Sequence, residues 1–305
     1  MLSLLNLCKR SDRPAATSTA PPLPPGHPVD LPGRGTTFVR DAAGPPGAPV
    51  VFLLHGLGAT ADINWWFAYE SLSRNYRVLA IDHRGHGRGI RSRRRFRLAD
   101  CADDVVAVAD QLGIETFIPV GYSMGGPIGQ LIWHRHPDRV SGLVLCATSR
   151  DFHGAPKDWP AFAVMPWLAL SARAIPWAPV VGFAAQFLAK RATNEIYADW
   201  IIEEFRRSDV ATILEAAATL GRFSSREWIG GVDVPVGVVA TSLDSLVPVR
   251  RQIKLAMALP TATIHVADGD HYLARDEQEG LVLAIEEALE LVVRRGQRRN
   301  AKEGE

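Results

Sequence analysis

The chain has 305 residues, a net charge of +1, 47% hydrophobic and 22% charged residues. That length suits one large domain or two small ones with an ample core, and the composition is that of a soluble globular enzyme. No bulk charge argues for a nucleic-acid partner. Three widely spaced cysteines, Cys8, Cys101 and Cys146, give neither a disulfide framework nor a CxxC metal pair and fit a reducing compartment.

Met1 to Leu7 is apolar, but it is too short for a signal-peptide core, and Lys9-Arg10 follows it instead of preceding it. No stretch approaches the roughly 18 apolar residues of a membrane span, so the expectation is a cytoplasmic protein without an integral membrane segment. Residues 11 to 35 are rich in Pro, Ala, Thr and Gly and read as an extended linker, so 1–35 is taken as a flexible leader.

A folded body is expected from Thr36. Thr36 to Arg40 is strand-like, and Val50 to Leu54 is an unbroken apolar run, the mark of a strand buried on both faces. A helical stretch at Ala61 to Leu72, a buried strand at Arg77 to Ile81 and a helix at Leu98 to Leu112, stopped by Gly113, follow. Phe117 to Val120 reads as strand, Ile128 to Arg135 as helix and Ser141 to Ala147 as strand. This β-α alternation predicts an α/β fold, a mainly parallel sheet with helices on both faces.

The rhythm breaks between Asp151 and Gly230, a Trp- and Ala-rich region that reads as helical throughout, most clearly at Ile196 to Arg207 and Val210 to Leu220. Strands resume at Val234 to Ala240 and Thr263 to Val266, with helices at Val249 to Ala258 and Glu277 to Arg295. The organisation is therefore a core of 36–150 and 231–295, a helical cap insertion at 151–230, and a charged, frayed tail at 296–305.

Ligands of open α/β sheets bind beyond the carboxyl ends of the strands. At those ends stand His55-Gly56-Leu57-Gly58, Gly121-Tyr122-Ser123-Met124-Gly125, Asp244 and Asp268-Gly269-Asp270-His271. The second of these is G-x-S-x-G at a strand-to-helix junction, where a sharp turn lifts the serine hydroxyl off the sheet. Serine, acid and histidine follow in that chain order.

With H-G-L-G at His55, D-x-R-G-x-G at Asp82 to Gly87 and D-x-x-V-P at Asp244, the chain resembles the α/β-hydrolase family over about Thr36 to Arg295. The resemblance implies Ser123 as nucleophile, His271 as general base and Asp244 as the acid orienting it. The amides of Leu57 and Met124 would form the oxyanion hole. Asp244 has a duller reading as a cap of the helix near Val249 and a rival in Asp151, where some members place the acid. Asp268 and Asp270 are too near His271 to be preferred, and His55 reads as a structural turn residue.

Three departures stand out. Arg88 takes the place of a small hydroxyl residue and opens an Arg-rich loop through Arg97, read as a solvated loop or, more sharply, as an anionic-surface contact. Thr241 replaces a frequent glycine. His83/His86 and His134/His136 invite a metal reading, but no carboxylate or cysteine completes a site, and the chemistry needs neither metal nor cofactor.

The implied function is serine hydrolysis of a carboxylic ester or similar small hydrophobic acyl compound. Related triad chemistries (lactonase, thioesterase, carbon–carbon hydrolase, perhydrolase, acyltransferase) or a non-turnover sensor are the alternatives. Five tryptophans, Trp159, Trp167, Trp177, Trp200 and Trp228, fall in the cap. Trp65, Trp66 and Tyr122 are candidates to line the substrate pocket. Sequence fixes no oligomeric state.

Overall fold

A computed structural model describes residues 20–152, 197–272 and 278–303. Elements are numbered through these residues. Trp159, Trp167 and Trp177, the apolar leader with Cys8 and most of the insertion lie outside them.

The sheet has the order β1-β2-β4-β3-β5-β6-β7-β8. Its strands are β1 (Gly26–Leu31), β2 (Gly35–Ala42), β3 (Val50–Leu54), β4 (Arg77–Ile81), β5 (Ile118–Tyr122), β6 (Leu143–Cys146), β7 (Val236–Thr241) and β8 (Ala262–Ala267). β1, β2 and β4 pair antiparallel, and every pairing from β4 to β8 is parallel. The carboxyl ends of those six strands therefore share one rim.

β1 corrects the linker reading of 11–35. Val29 and Leu31 are buried, and Gly33, at φ 73°, makes the hairpin turn back into β2. The strand pays out its register from Gly26 opposite Arg40 to Leu31 opposite Gly35.

The unbroken apolar runs follow from burial on both faces. Phe52 and Leu54 of β3, with Leu79 and Ile81 of β4, point into one core. That core is completed by α3 (Leu98–Gln111) and α4 (Gly125–Arg135). Val51, Leu53, Val78 and Ala80 point into the other. There they meet α1 (Ala61–Trp65), α2 (Tyr69–Leu72) and α8 (Gln278–Glu303). Burial of each such side chain contributes about 1.5–3 kcal/mol, so a one-residue slip of either strand would lose its whole set.

α8 continues to Glu303, past the expected end at Arg295, so Gly296 sits inside a helix and not in a frayed tail. α5 (Ala198–Arg206) and α6 (Val210–Leu220) lie in the insertion, and α7 (Val249–Ala258) separates β7 from β8. Among the described residues no helix is long and apolar enough to cross a membrane.

Candidate active site

The strand-to-helix turn after β5 is shaped by what cannot fit there. A Cβ on Gly121 would stand 2.3 Å from the Gly125 carbonyl oxygen, and one on Gly125 2.1 Å from that of Leu54. Two glycines therefore let the chain fold back on itself, and Ser123 between them takes φ 53°, the left-handed region a side chain normally avoids. Its backbone is pinned on both sides. The Ser123 N–H donates to Cys146 O at 3.0 Å, and its carbonyl accepts from Thr148 Oγ1 at 2.8 Å and Gly126 N at 3.0 Å.

The strained serine meets an imidazole brought 148 residues along the chain. His271 Nε2 lies 2.9 Å from Ser123 Oγ, and His271 Nδ1 lies 2.7 Å from Asp244 Oδ2. The partners assign the tautomer: Nδ1–H donates to the carboxylate and Nε2 accepts from the hydroxyl. All three groups are largely buried, yet Ser123 keeps 9% of its surface open.

Asp244 is held by more than His271. Its Oδ1 accepts from Leu246 N at 2.9 Å and Val247 N at 2.7 Å. Its Oδ2 accepts from Thr241 Oγ1 at 2.7 Å and Gln252 Nε2 at 3.2 Å. The turn before α7 is thus built on this carboxylate, while the helix itself starts after Pro248 without a side-chain cap. Asp151 is engaged elsewhere, accepting from Arg226 Nε at 2.9 Å.

Sequence reasoning missed Gln252. It is a fully buried glutamine whose Nε2 donates to Thr241 Oγ1 and Val247 O, each at 2.7 Å, and whose Oε1 accepts from Thr241 N at 3.1 Å. Its only sequence signal was a polar residue on the apolar face of a helix. Thr241, noted as a departure from glycine, is its hydroxyl partner.

Met124 follows the serine directly, and Leu57 follows Gly56 in the turn after β3. Met124 caps the N-terminus of α4, where unpaired amides and the helix dipole favour negative charge. Among the described residues neither amide has a hydrogen-bond acceptor. Gly56 is close enough that a Cβ there would stand 3.3 Å from Ser123 Cβ. The turn is braced from beneath: Asp82 accepts from Ala61 N and Arg88 N, each at 2.8 Å, joining β4 to the start of α1.

His55 is structural, as expected. Its Nδ1–H donates to Gly56 O at 2.8 Å and its Nε2 accepts from His83 N at 2.9 Å. It packs with His83 and His86, ring centroids 4.3 and 5.1 Å away, in a cluster from which water is excluded. Burial, which penalises the charged form, lowers His55 to about 4 and His86 to about 3 and puts His83 well below its usual range. His134 stacks on Trp228 at 4.2 Å and His136 pairs with Asp103 at 2.9 Å, so the two histidine pairs serve packing and ion pairing.

The pocket-lining expectations need correction. Trp65 is fully buried, edge-on to Tyr122 at 6.1 Å. Tyr122 is also buried, and its hydroxyl donates to the His271 carbonyl at 2.9 Å. It ties the end of β5 to the histidine loop. Trp66 is half-buried and meets Tyr197 of the insertion, centroids 5.0 Å apart.

α5 lies against the turn after β3 and against α1. Phe205 comes within 3.8 Å of where a Cβ of Gly58 would be. Glu204, buried on α5, faces Arg88 at 3.5 Å, and Arg88 is also 2.6 Å from Asp62 and 3.5 Å from Asp82. Arg88 is therefore an ionic hub beneath α5, contrary to the solvated-loop reading. Burial raises the carboxyl groups of Asp82 and Glu204 above their usual range.

A family model described as the alpha/beta hydrolase fold matches residues 49–174. A putative carbamate hydrolase RutD of a Caulobacter species is 32% identical over 222 residues, covering 71% of this chain and 81% of that protein. Epoxide hydrolase B of Mycobacterium tuberculosis is 37% identical over 116 residues, 36% of this chain and only 32% of that protein. Among solved structures, a thermophilic esterase from Thermogutta terrifontis superposes with a TM-score of 0.72 at 21% identity, over 86% of this chain and 97% of that one. The chain belongs to the α/β-hydrolase fold family.

Proposed function

We propose that the chain is a serine hydrolase that cleaves a carboxylic ester or a similar small hydrophobic acyl compound through an acyl-enzyme. The observation that carries this reading is the unbroken hydrogen-bonded line Ser123–His271–Asp244, next to the Met124 amide, for which no acceptor is found among the described residues. Ser123 Oγ attacks the acyl carbon as its proton passes to His271 Nε2. The amides of Leu57 and Met124 receive the negative charge on the former carbonyl oxygen, where one such donor is worth about 2.7–4 kcal/mol of barrier. His271 returns the proton to the leaving alcohol. Water, deprotonated by the same nitrogen, then releases the acid and restores the serine.

Tyr197–Leu220, with the rest of the insertion, would act as the cap that roofs the site and favours an apolar acyl group. The carbamate hydrolase name fits the same acyl chemistry. The epoxide hydrolase match is shorter, and a serine at the elbow argues against opening an epoxide through an aspartate ester. A fluorophosphonate probe and a panel of esters of varied acyl length test the proposal. Wild type should be labelled and turn over at least one ester, and Ser123→Ala should do neither. Labelling of Ser123→Ala at the wild-type rate, or no labelling of wild type, would overturn it.

A further inference from the structure

The rim that carries Ser123 is charged on one side and greasy on the other. Because β4 to β8 run parallel, the loops after β4, β7 and β8 all open on this rim. The loop after β4 exposes Arg93, Arg94, Arg95 and Arg97 within five residues. The loop after β7 exposes Leu243 (73%) and Leu246 (58%), and the loop after β8 exposes Tyr272 (40%). Four strand steps, about 19 Å, separate β4 from β7 along the rim, and β5, which leads into the serine turn, lies between them.

The arginine loop is a fixed platform. Phe96 is buried, its N–H donates to Glu215 at 2.9 Å and its carbonyl accepts from Thr219 Oγ1 at 3.3 Å. Arg91 holds the loop by donating to the carbonyls of Gly87, Gly89 and Arg207. The nearby carboxylate of Asp104 is already taken by Arg34 and Arg84, and that of Glu215 by the Phe96 amide. Arg94, Arg95 and Arg97 put three exposed guanidinium groups on this loop.

The geometry points to an interfacial docking face: this rim binds an anionic phospholipid bilayer, arginines on the headgroups and Leu243, Leu246 and Tyr272 at the acyl boundary. A dissolved polyanion such as nucleic acid would satisfy the arginines but offers the leucines nothing to enter; an anionic bilayer meets both. Each arginine near such a surface is worth about fivefold in partitioning, and neutralising three about a hundredfold. The docking stands independently of the proposed function, which decides only what the site would do there.

The test is co-sedimentation of the full chain with vesicles of phosphatidylcholine, with or without roughly one third phosphatidylserine. Wild type should bind the anionic vesicles well above the neutral ones, and lose binding as salt rises from about 0.05 to about 0.5 M. R94Q/R95Q/R97Q should weaken binding about a hundredfold while its thermal midpoint and its turnover of a water-soluble ester match wild type. L243S/L246S should weaken it at least about tenfold with the salt dependence kept. Equal binding to neutral vesicles, undiminished binding by the arginine variant, or binding of duplex DNA but not of vesicles would each overturn the inference. Vesicle binding without turnover of any ester would leave the docking face standing and remove the proposed function.

Discussion

Acid should unfold this protein through its core histidines before it touches the carboxylates. His55, His83 and His86 are all buried, and His83 has no partner on either ring nitrogen. Burial places the folded-state value of His55 at about 4 and of His86 at about 3, against 6.5 for the free side chain. Because the folded values lie below the unfolded one, unfolding takes up protons. Stability is intact above about pH 6.5 and drains as the pH falls toward the folded values. By pH 5 His55 and His86 each cost about 2 kcal/mol, about 4 kcal/mol together, and His83 adds to the loss in the same direction, a sum comparable to the whole stability of many domains. The raised carboxyls of Asp82 and Glu204 work in the opposite direction, since their folded forms gain protons first, and offset part of this. Guanidinium unfolding followed by tryptophan fluorescence at pH 7, 6 and 5 measures the loss. His83→Leu removes one titrating group and no hydrogen bond found to its ring among the described residues, so its loss over that range should be smaller than that of wild type. A wild-type loss under about 1 kcal/mol between pH 7 and 5, or a His83→Leu curve parallel to wild type, would refute the reasoning.

Gln252→Leu would strand the Thr241 N–H and the Val247 carbonyl, about 1–3 kcal/mol each, so stability should fall by about 2–6 kcal/mol in denaturant titrations and kcat should fall with it. A variant as stable as wild type would show that the amide is not the clamp described. Tyr122→Phe keeps the ring but drops the bond to the His271 carbonyl. Ester turnover should then fall roughly fivefold in kcat with KM unchanged, and a KM effect alone would return Tyr122 to the pocket. Gly121→Ala must displace the Gly125 carbonyl, so about 3 kcal/mol of stability and nearly all serine labelling should be lost; a well-folded, fully labelled variant would contradict the close approach. Asp244→Asn should reduce kcat by orders of magnitude while Asp151→Asn, whose carboxylate serves Arg226, should not; kinetics on both variants decide between them.

The inner strands were plain in the sequence because burial on both faces writes one unbroken apolar word: Val50–Leu54 and Arg77–Ile81 were read to the residue. β1 was hidden by its own composition. Pro28 is tolerated because the strand lies at the sheet edge, and its hairpin partner starts only after a Pro-Gly turn. Gly296 and the charges after it masked the last turns of α8, which tertiary contacts such as Arg299 to the Asp233 carbonyl support. At the site, serine, acid and histidine were legible from type, order and strand end. Tyr122 and Trp65 were not, because their partners lie more than fifty residues away, and Gln252 was not, because its local partners meet it only through the folding of the turn after β7, which local pattern does not encode.

α8 has a consequence for anyone who wishes to handle this molecule. It starts on the side of the rim that carries Ser123 and runs 26 residues, about 39 Å, to the opposite edge of the sheet, where Arg295 and Arg299 grip the carbonyls of Thr261 and Asp233 ahead of β8 and β7. A fluorophore, bead or tether joined past Glu303 would hang at the far side, leaving Ser123 and its surroundings facing outward.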